Sequence, residues 1–160
     1  MNWKKVWKWT TACLLLLQLT GCALPGFLSF KGTRLGWDAV TLSAAPDANQ
    51  NSPVAVDVVL VLDEAMLDRL AEIPAAKWFG ARADLQKTYP QSLSFRSWEL
   101  VPGQTLRIPG STFGTPRVAG VFIYANYATP GAHRLRVEDL KGPIVARFDI
   151  QGFDVSAAPR

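Results

Sequence analysis

The chain is 160 residues long and carries 17 Lys+Arg against 13 Asp+Glu, with two cysteines and a single histidine. One histidine excludes a multi-histidine zinc site, and the absence of a basic run of five or more residues leaves no electrostatic footprint for nucleic acid or anionic lipid. The formal charge of +4 is therefore no guide to a partner.

Lys4, Lys5 and Lys8 form a positive start, residues 11–19 form an apolar run too short to span a bilayer, and Thr20 and Gly21 are small residues suited to cleavage. This pattern predicts an export signal over residues 1–21. The stretch Leu19-Thr20-Gly21-Cys22 resembles the lipobox of bacterial lipoproteins. That resemblance implies a diacylglycerol on the Cys22 thiol, cleavage just before Cys22, and an N-acyl chain on the new amine. Acyl chains contribute about 0.8 kcal/mol per buried CH₂, so several chains hold a domain firmly to a bilayer. The plainer alternative is an ordinary secretory signal with Cys22 left as a stray thiol. In lipoproteins of this kind an aspartate after the cysteine retains the protein at the inner membrane. Ala23 stands there instead, which implies the periplasmic face of the outer membrane.

Processing at Cys22 would remove the three lysines and leave 14 Lys+Arg against 13 Asp+Glu over 139 residues. Cys13 would go with the signal and Cys22 would be used by lipid, so the fold would rest on its apolar core, which a domain of this length can do. Residues 22–32 then read as a lipidated tether, and 33–160 as one domain.

Leu35 to Ser43 alternates loosely and predicts a strand. Residues 46–53, Pro-Asp-Ala-Asn-Gln-Asn-Ser-Pro, predict a loop. Val54 to Leu62 is apolar except for Asp57 and rich in valine, the pattern of a strand buried on both faces. Asp63 is placed as an N-cap ahead of Met66, Leu67 and Leu70 at helical spacing, with Pro74 as the stop. A second helix is predicted from Ala75 to Tyr89, divided at Gly80, so a helical insertion spans about 63–89. Beyond Pro90 the period becomes two. Ser92–Val101 and Gln104–Ile108 flank Pro102-Gly103 and predict a hairpin. Val118–Tyr127, His133–Glu138, Ile144–Ile150 and Phe153–Ser156 continue the meander. The total of seven or eight short strands with turns between predicts a mainly β fold, an antiparallel β-sandwich carrying a short helical insertion after strand two.

The order of several segments resembles the TssJ family, also called SciN or VasD, the outer-membrane lipoproteins of type VI secretion systems. The matching points are the lipobox, a strand ending in Ala44-Ala45, Asn49 in the following loop, and Ser52-Pro53-Val54-Ala55-Val56. A helical excursion, Glu99-Leu100-Val101-Pro102-Gly103 and Gly120-Val121-Phe122-Ile123-Tyr124-Ala125-Asn126-Tyr127 follow in order. The family implies a transthyretin-like sandwich whose loop between the first two strands binds the periplasmic part of TssM, an IcmF-like inner-membrane protein. Here that loop is 45–53, with Asp47, Asn49 and Gln50 as the contact candidates, against the plainer reading that they serve turn geometry. The chain departs from the family at Leu60-Val61-Leu62 and at Trp78-Phe79 with Arg82, as a divergent member or a paralogue would.

Trp78, Phe79 and Arg82 form a possible second contact, because aromatic residues and arginine on one helical turn make interface anchors; the alternative is docking of the helices on the sandwich. Tyr124 and Tyr127 fall on opposite strand faces, so one of them is expected at the surface. His133, beside a turn, reads as a solvated strand residue. No nucleophile elbow, His-Glu-x-x-His pair or phosphate loop is present. Carboxylates on strands, Asp57, Glu99 and Asp149, are the remaining catalytic inventory, and their ordinary reading is outward-facing alternation. The expectation is a non-enzyme with no cofactor beyond its covalent lipid, no metal and no small-molecule substrate. The other readings are a lipid-anchored binding module for another periplasmic ligand and a carboxylate hydrolase.

Overall fold

The computed structural model describes residues 32–158; Cys22, Ala23 and the export signal lie outside them. A two-residue strand β1 (Thr33–Arg34) leads into β2 (Gly36–Ala44), β3 (Val54–Val61) and the helices α1 (Glu64–Glu72) and α2 (Ala75–Thr88). The rest is strand: β4 (Leu93–Leu100), β5 (Thr105–Pro109), β6 (Arg117–Val118), β7 (Gly120–Asn126), β8 (Arg134–Arg136), β9 (Lys141–Phe148) and β10 (Phe153–Ala157). Two four-stranded sheets, ordered β10-β9-β2-β5 and β4-β3-β7-β8, face each other, and β1 pairs with β6 as a small separate ribbon. The sandwich and the helical insertion are those the residue pattern predicts.

The valine-rich β3 is buried on both faces because it lies in the middle of three layers. Val56, Val58 and Leu60 face the first sheet, where they meet Val40 and Leu42 of β2 and Ile144 and Phe148 of β9. Val59 and Val61 face the other way and pack under Met66, Leu70, Trp78 and Leu85 of the helices. The insertion thus covers the outer face of the β4-β3-β7-β8 sheet. Asp63 caps α1, its carboxylate accepting a hydrogen bond from the Ala65 amide at 2.9 Å, as the spacing predicts. Gly80 sits on the exposed side of α2 and does not divide it.

Three pairings depart from the expected antiparallel meander. The Pro102-Gly103 turn does not close a hairpin: β4 pairs with β3, and β5 pairs with β2 in the opposite sheet. The turn is local, Gln104 donating to the Val101 carbonyl at 3.0 Å, but the strands leaving it cross between layers. The segment from β8 to β9 crosses likewise, and Lys141-Gly142 opens β9 instead of forming a turn. Finally, β2 and β9 run parallel, which the long connection between them permits. A register shift between Trp37 and Val40 lets Trp37 face the same core as Val40, Leu42 and Ala44.

The strand directions give the molecule two distinct ends. The chain arrives at one of them, where the Gly32 carbonyl accepts from Arg117 at 2.9 Å and the Leu35 amide donates to Pro116. The nine residues of β2 then carry it across, about 26 Å from first to last at about 3.3 Å for each of the intervening steps. At the far end lie the 45–53 loop, the 101–104 turn, the 127–133 loop and the 149–152 turn.

Candidate functional site

The 45–53 loop is built around an unusual stretch of backbone. Ala48–Asn51 makes one helical turn in which Asn49, Gln50 and Asn51 have φ of 47°, 56° and 60°. This is the left-handed region, which costs L-residues about 1–2 kcal/mol each and which asparagine tolerates best. Such a turn persists only where its surroundings hold it. Asn49 supplies much of the hold. It is only 4% exposed, its Nδ2 donates to the Pro53 carbonyl at 2.8 Å, and its Oδ1 accepts from the Ala128 amide at 2.8 Å. Its backbone amide donates to the Asp149 carbonyl at 3.1 Å. Among the three loop candidates, Asp47 and Gln50 are exposed, whereas Asn49 points inward and spends both ends of its amide within the chain. Asn49 is thus a clamp for the loop and not a side chain offered outward.

Neighbouring turns are tied to the same loop. The Ala45 carbonyl accepts from Gly103 at 3.0 Å and its amide donates to Phe148 at 2.8 Å, while Ala44 donates to Gln104 at 2.8 Å. The Tyr127 hydroxyl donates to the Gly152 carbonyl, joining the 127–133 loop to the 149–152 turn. Burial, and secondarily the Asp149 charge, push the Tyr127 phenol well above its ordinary range, so it stays a neutral donor. His133 is half-buried in this loop, stacked on Tyr127 with ring centroids 4.8 Å apart and bonded through Nε2 to the Thr129 carbonyl at 2.8 Å. It lies just before β8 with φ of 40°, as a turn residue and not as the solvated strand residue expected.

Trp78, Phe79 and Arg82 are brought together, but not as an outward patch. Trp78 is fully buried, stacked on Tyr124 at 4.9 Å and edge-on to Phe95 at 5.5 Å. Its indole Nε1 donates to Asp57 Oδ2 at 2.8 Å, and an Arg82 nitrogen reaches both Asp57 oxygens at 2.7 Å. The guanidinium lies 4.8 Å from the centre of half-buried Phe79 and 5.7 Å from that of Phe95. Trp78 therefore serves the core, and Arg82 is committed to Asp57.

Asp57 corrects the reading of outward alternation. It does lie on the outer face of its sheet, but that face is covered by α2, so the carboxylate is buried and paired. A lone acid inside an otherwise apolar run implies a buried partner, and this signal was available in the sequence. Glu99 and Asp149 are exposed near the loop end of the sandwich and do not join it. Tyr124 and Tyr127 are both buried, contrary to the expectation that one is at the surface. Tyr124 is under the helices, its hydroxyl donating to the Leu70 carbonyl at 2.7 Å, and Tyr127 lies past the end of β7 and turns into the core between the sheets.

No family model and no curated protein matches the chain. Among solved structures it is similar to the T6SS lipoprotein TssJ1 from Pseudomonas aeruginosa, with a TM-score of 0.57, 19% identity, and coverage of 81% of this chain and 98% of that one. It is also similar to Serratia marcescens Lip, a membrane-bound component of the type VI secretion system (TM-score 0.54, 15% identity, 81% of this chain and 99% of that one). A structure of the T6SS protein TssM C-terminal domain from EAEC contains a chain matching at a TM-score of 0.53 and 11% identity, over 75% of this chain and 97% of that one. The order of segments, the two-sheet sandwich and these likenesses agree: the chain has the TssJ-like fold.

Proposed function

We propose that this protein is an outer-membrane lipoprotein of a type VI secretion membrane complex, anchored by acyl chains on Cys22 at the periplasmic face. From there it binds the periplasmic part of an IcmF-like TssM protein through the 45–53 loop. The work is positional: no catalytic residue, metal or cofactor is required. One observation carries the reading. The chain enters the sandwich at one end, and the strained, clamped loop stands at the other, about 26 Å away along β2. A lipid on the N-terminal side would therefore turn the loop away from the membrane. The likeness to two type VI lipoproteins supports this placement. A lipid-anchored module for another ligand would draw on a concave pocket or an aromatic patch near Trp78, and the burial of Trp78 speaks against the patch.

The test is an affinity pull-down from gently solubilised envelopes of the native host, with the full chain tagged at its C-terminus. β10 runs away from the loop and ends at Ala157 opposite Ile144, level with the middle of β2, so the tag leaves the loop free. Recovery of a TssM-like protein by wild type, lost in Asp47→Ala/Gln50→Ala and in Cys22→Ser, is the expected result. Recovery of other envelope proteins, or equal recovery by the loop variant, would overturn it.

A further inference from the structure

Among the described residues three large apolar side chains are notably exposed: Val101 at 52%, Leu135 at 37% and Ile150 at 46%. Single exposed aliphatics are ordinary on protein surfaces. Two of these three, however, sit in the turns on either side of the 45–53 loop. Val101 opens the 101–104 turn, which is bonded to Ala45 through Gly103, and Ile150 lies in the 149–152 turn, which is bonded to Asn49 through Asp149. The parts are therefore held in fixed relation, with little ordering left to be lost on binding. The acids nearby are unmatched: Asp47, Glu99 and Asp149 are exposed, and neither ion pair among the described residues, Arg82–Asp57 or Arg147–Asp154, uses them.

We propose that the contact face is a three-turn surface in which Val101 and Ile150 are apolar anchors flanking Asp47 and Gln50. Its partner is a protein face with two apolar depressions separated and bordered by Lys or Arg. This rests on the reading of the loop as the partner-binding element and deepens it. Each aliphatic is a separate desolvated anchor, and the acids between and beside the two set orientation and association rate. The acids also make binding weaken as salt is raised.

The test measures binding of the detergent-solubilised full chain to the purified periplasmic fragment of the host's IcmF-like protein. Val101→Ser, Ile150→Ser and, as a control at the third exposed site, Leu135→Ser are compared with wild type. Each of the first two should weaken binding about tenfold, and Leu135→Ser should not change it. The three side chains are about half exposed or less, so each replacement should lower the unfolding midpoint only slightly and to a similar extent, and a binding loss confined to Val101→Ser and Ile150→Ser reports contact and not folding. Wild-type binding that survives both Val101→Ser and Ile150→Ser would overturn the three-turn surface while leaving the loop reading intact. Failure of the wild type to bind the fragment would overturn both.

Discussion

Replacing Asn49 by alanine tests whether the loop is held by this side chain. The change removes the bond to the Pro53 carbonyl and the bond from the Ala128 amide, both 2.8 Å. Each has a net worth of about 1 kcal/mol. It also places a residue less tolerant of positive φ at 47°, for about 1 kcal/mol more. Together the loss is about 3 kcal/mol, which for a domain of this size is a fall in melting temperature of about 9 °C. Asn49→Gly loses the same two bonds but accepts the left-handed backbone, so it should fall between wild type and alanine. Urea unfolding of the chain beginning at residue 23 measures both. Binding should fall in parallel with stability for these variants, whereas Asp47→Ala should reduce binding with stability unchanged. An Asn49→Ala loss under about 0.5 kcal/mol, or a glycine variant less stable than the alanine one, would refute the clamp.

Arg82→Ala should destabilise by about 3 kcal/mol, toward the lower end for a broken buried pair because the Arg82 side chain is 31% exposed. A double-mutant cycle with Asp57→Asn should show a coupling above about 1 kcal/mol. Gly110→Ala should prevent normal packing, since its Cβ would fall on the Trp37 carbonyl oxygen and 2.7 Å from the carbonyl carbon. A loss of about 3 kcal/mol or insoluble expression is expected. Burial raises the phenol pKa of both Tyr124 and Tyr127 above the ordinary value. The folded state then keeps protons that the unfolded state loses, so stability should be flat up to about pH 10 and fall above it. Unfolding curves across that range, with Tyr124→Phe and Tyr127→Phe flattening the fall, check the sign.

Much of the local structure was legible in the residues, because local structure depends on short-range chemistry. The valine run predicts β3, Asp63 predicts the cap of α1, and Pro74 and Pro90 bracket α2. Long-range pairing was not legible. Pro102-Gly103 makes the same local turn whether the strands beside it pair with each other or part into different sheets, so the crossing from β4 to β5 left no separate mark. The parallel pairing of β2 with β9 was hidden for the same reason. Asp57 and Tyr124 escape the sequence reading together, since each depends on the helical pair covering the outer face of one sheet. A strand pattern read in isolation treats that face as solvent. At the loop, the polar composition marks the segment that joins β2 to β3. It could not show that Asn49 turns inward while Asp47 and Gln50 turn outward, because that division follows from the contacts with Ala128 and Asp149 across the fold.

The position of β2 has a mechanical consequence. A pull between the N-terminal side of the chain and a partner holding the 45–53 loop would be carried along this one strand, since it joins the two ends directly. β2 is bonded on both sides, to β5 from Ala39 to Ser43 and to β9 from Gly36 to Ala44. Tension along its axis would load those bonds in shear, so that many must yield at once and none can be peeled singly. The sandwich would transmit force without unravelling, as the proposed tethering role would require.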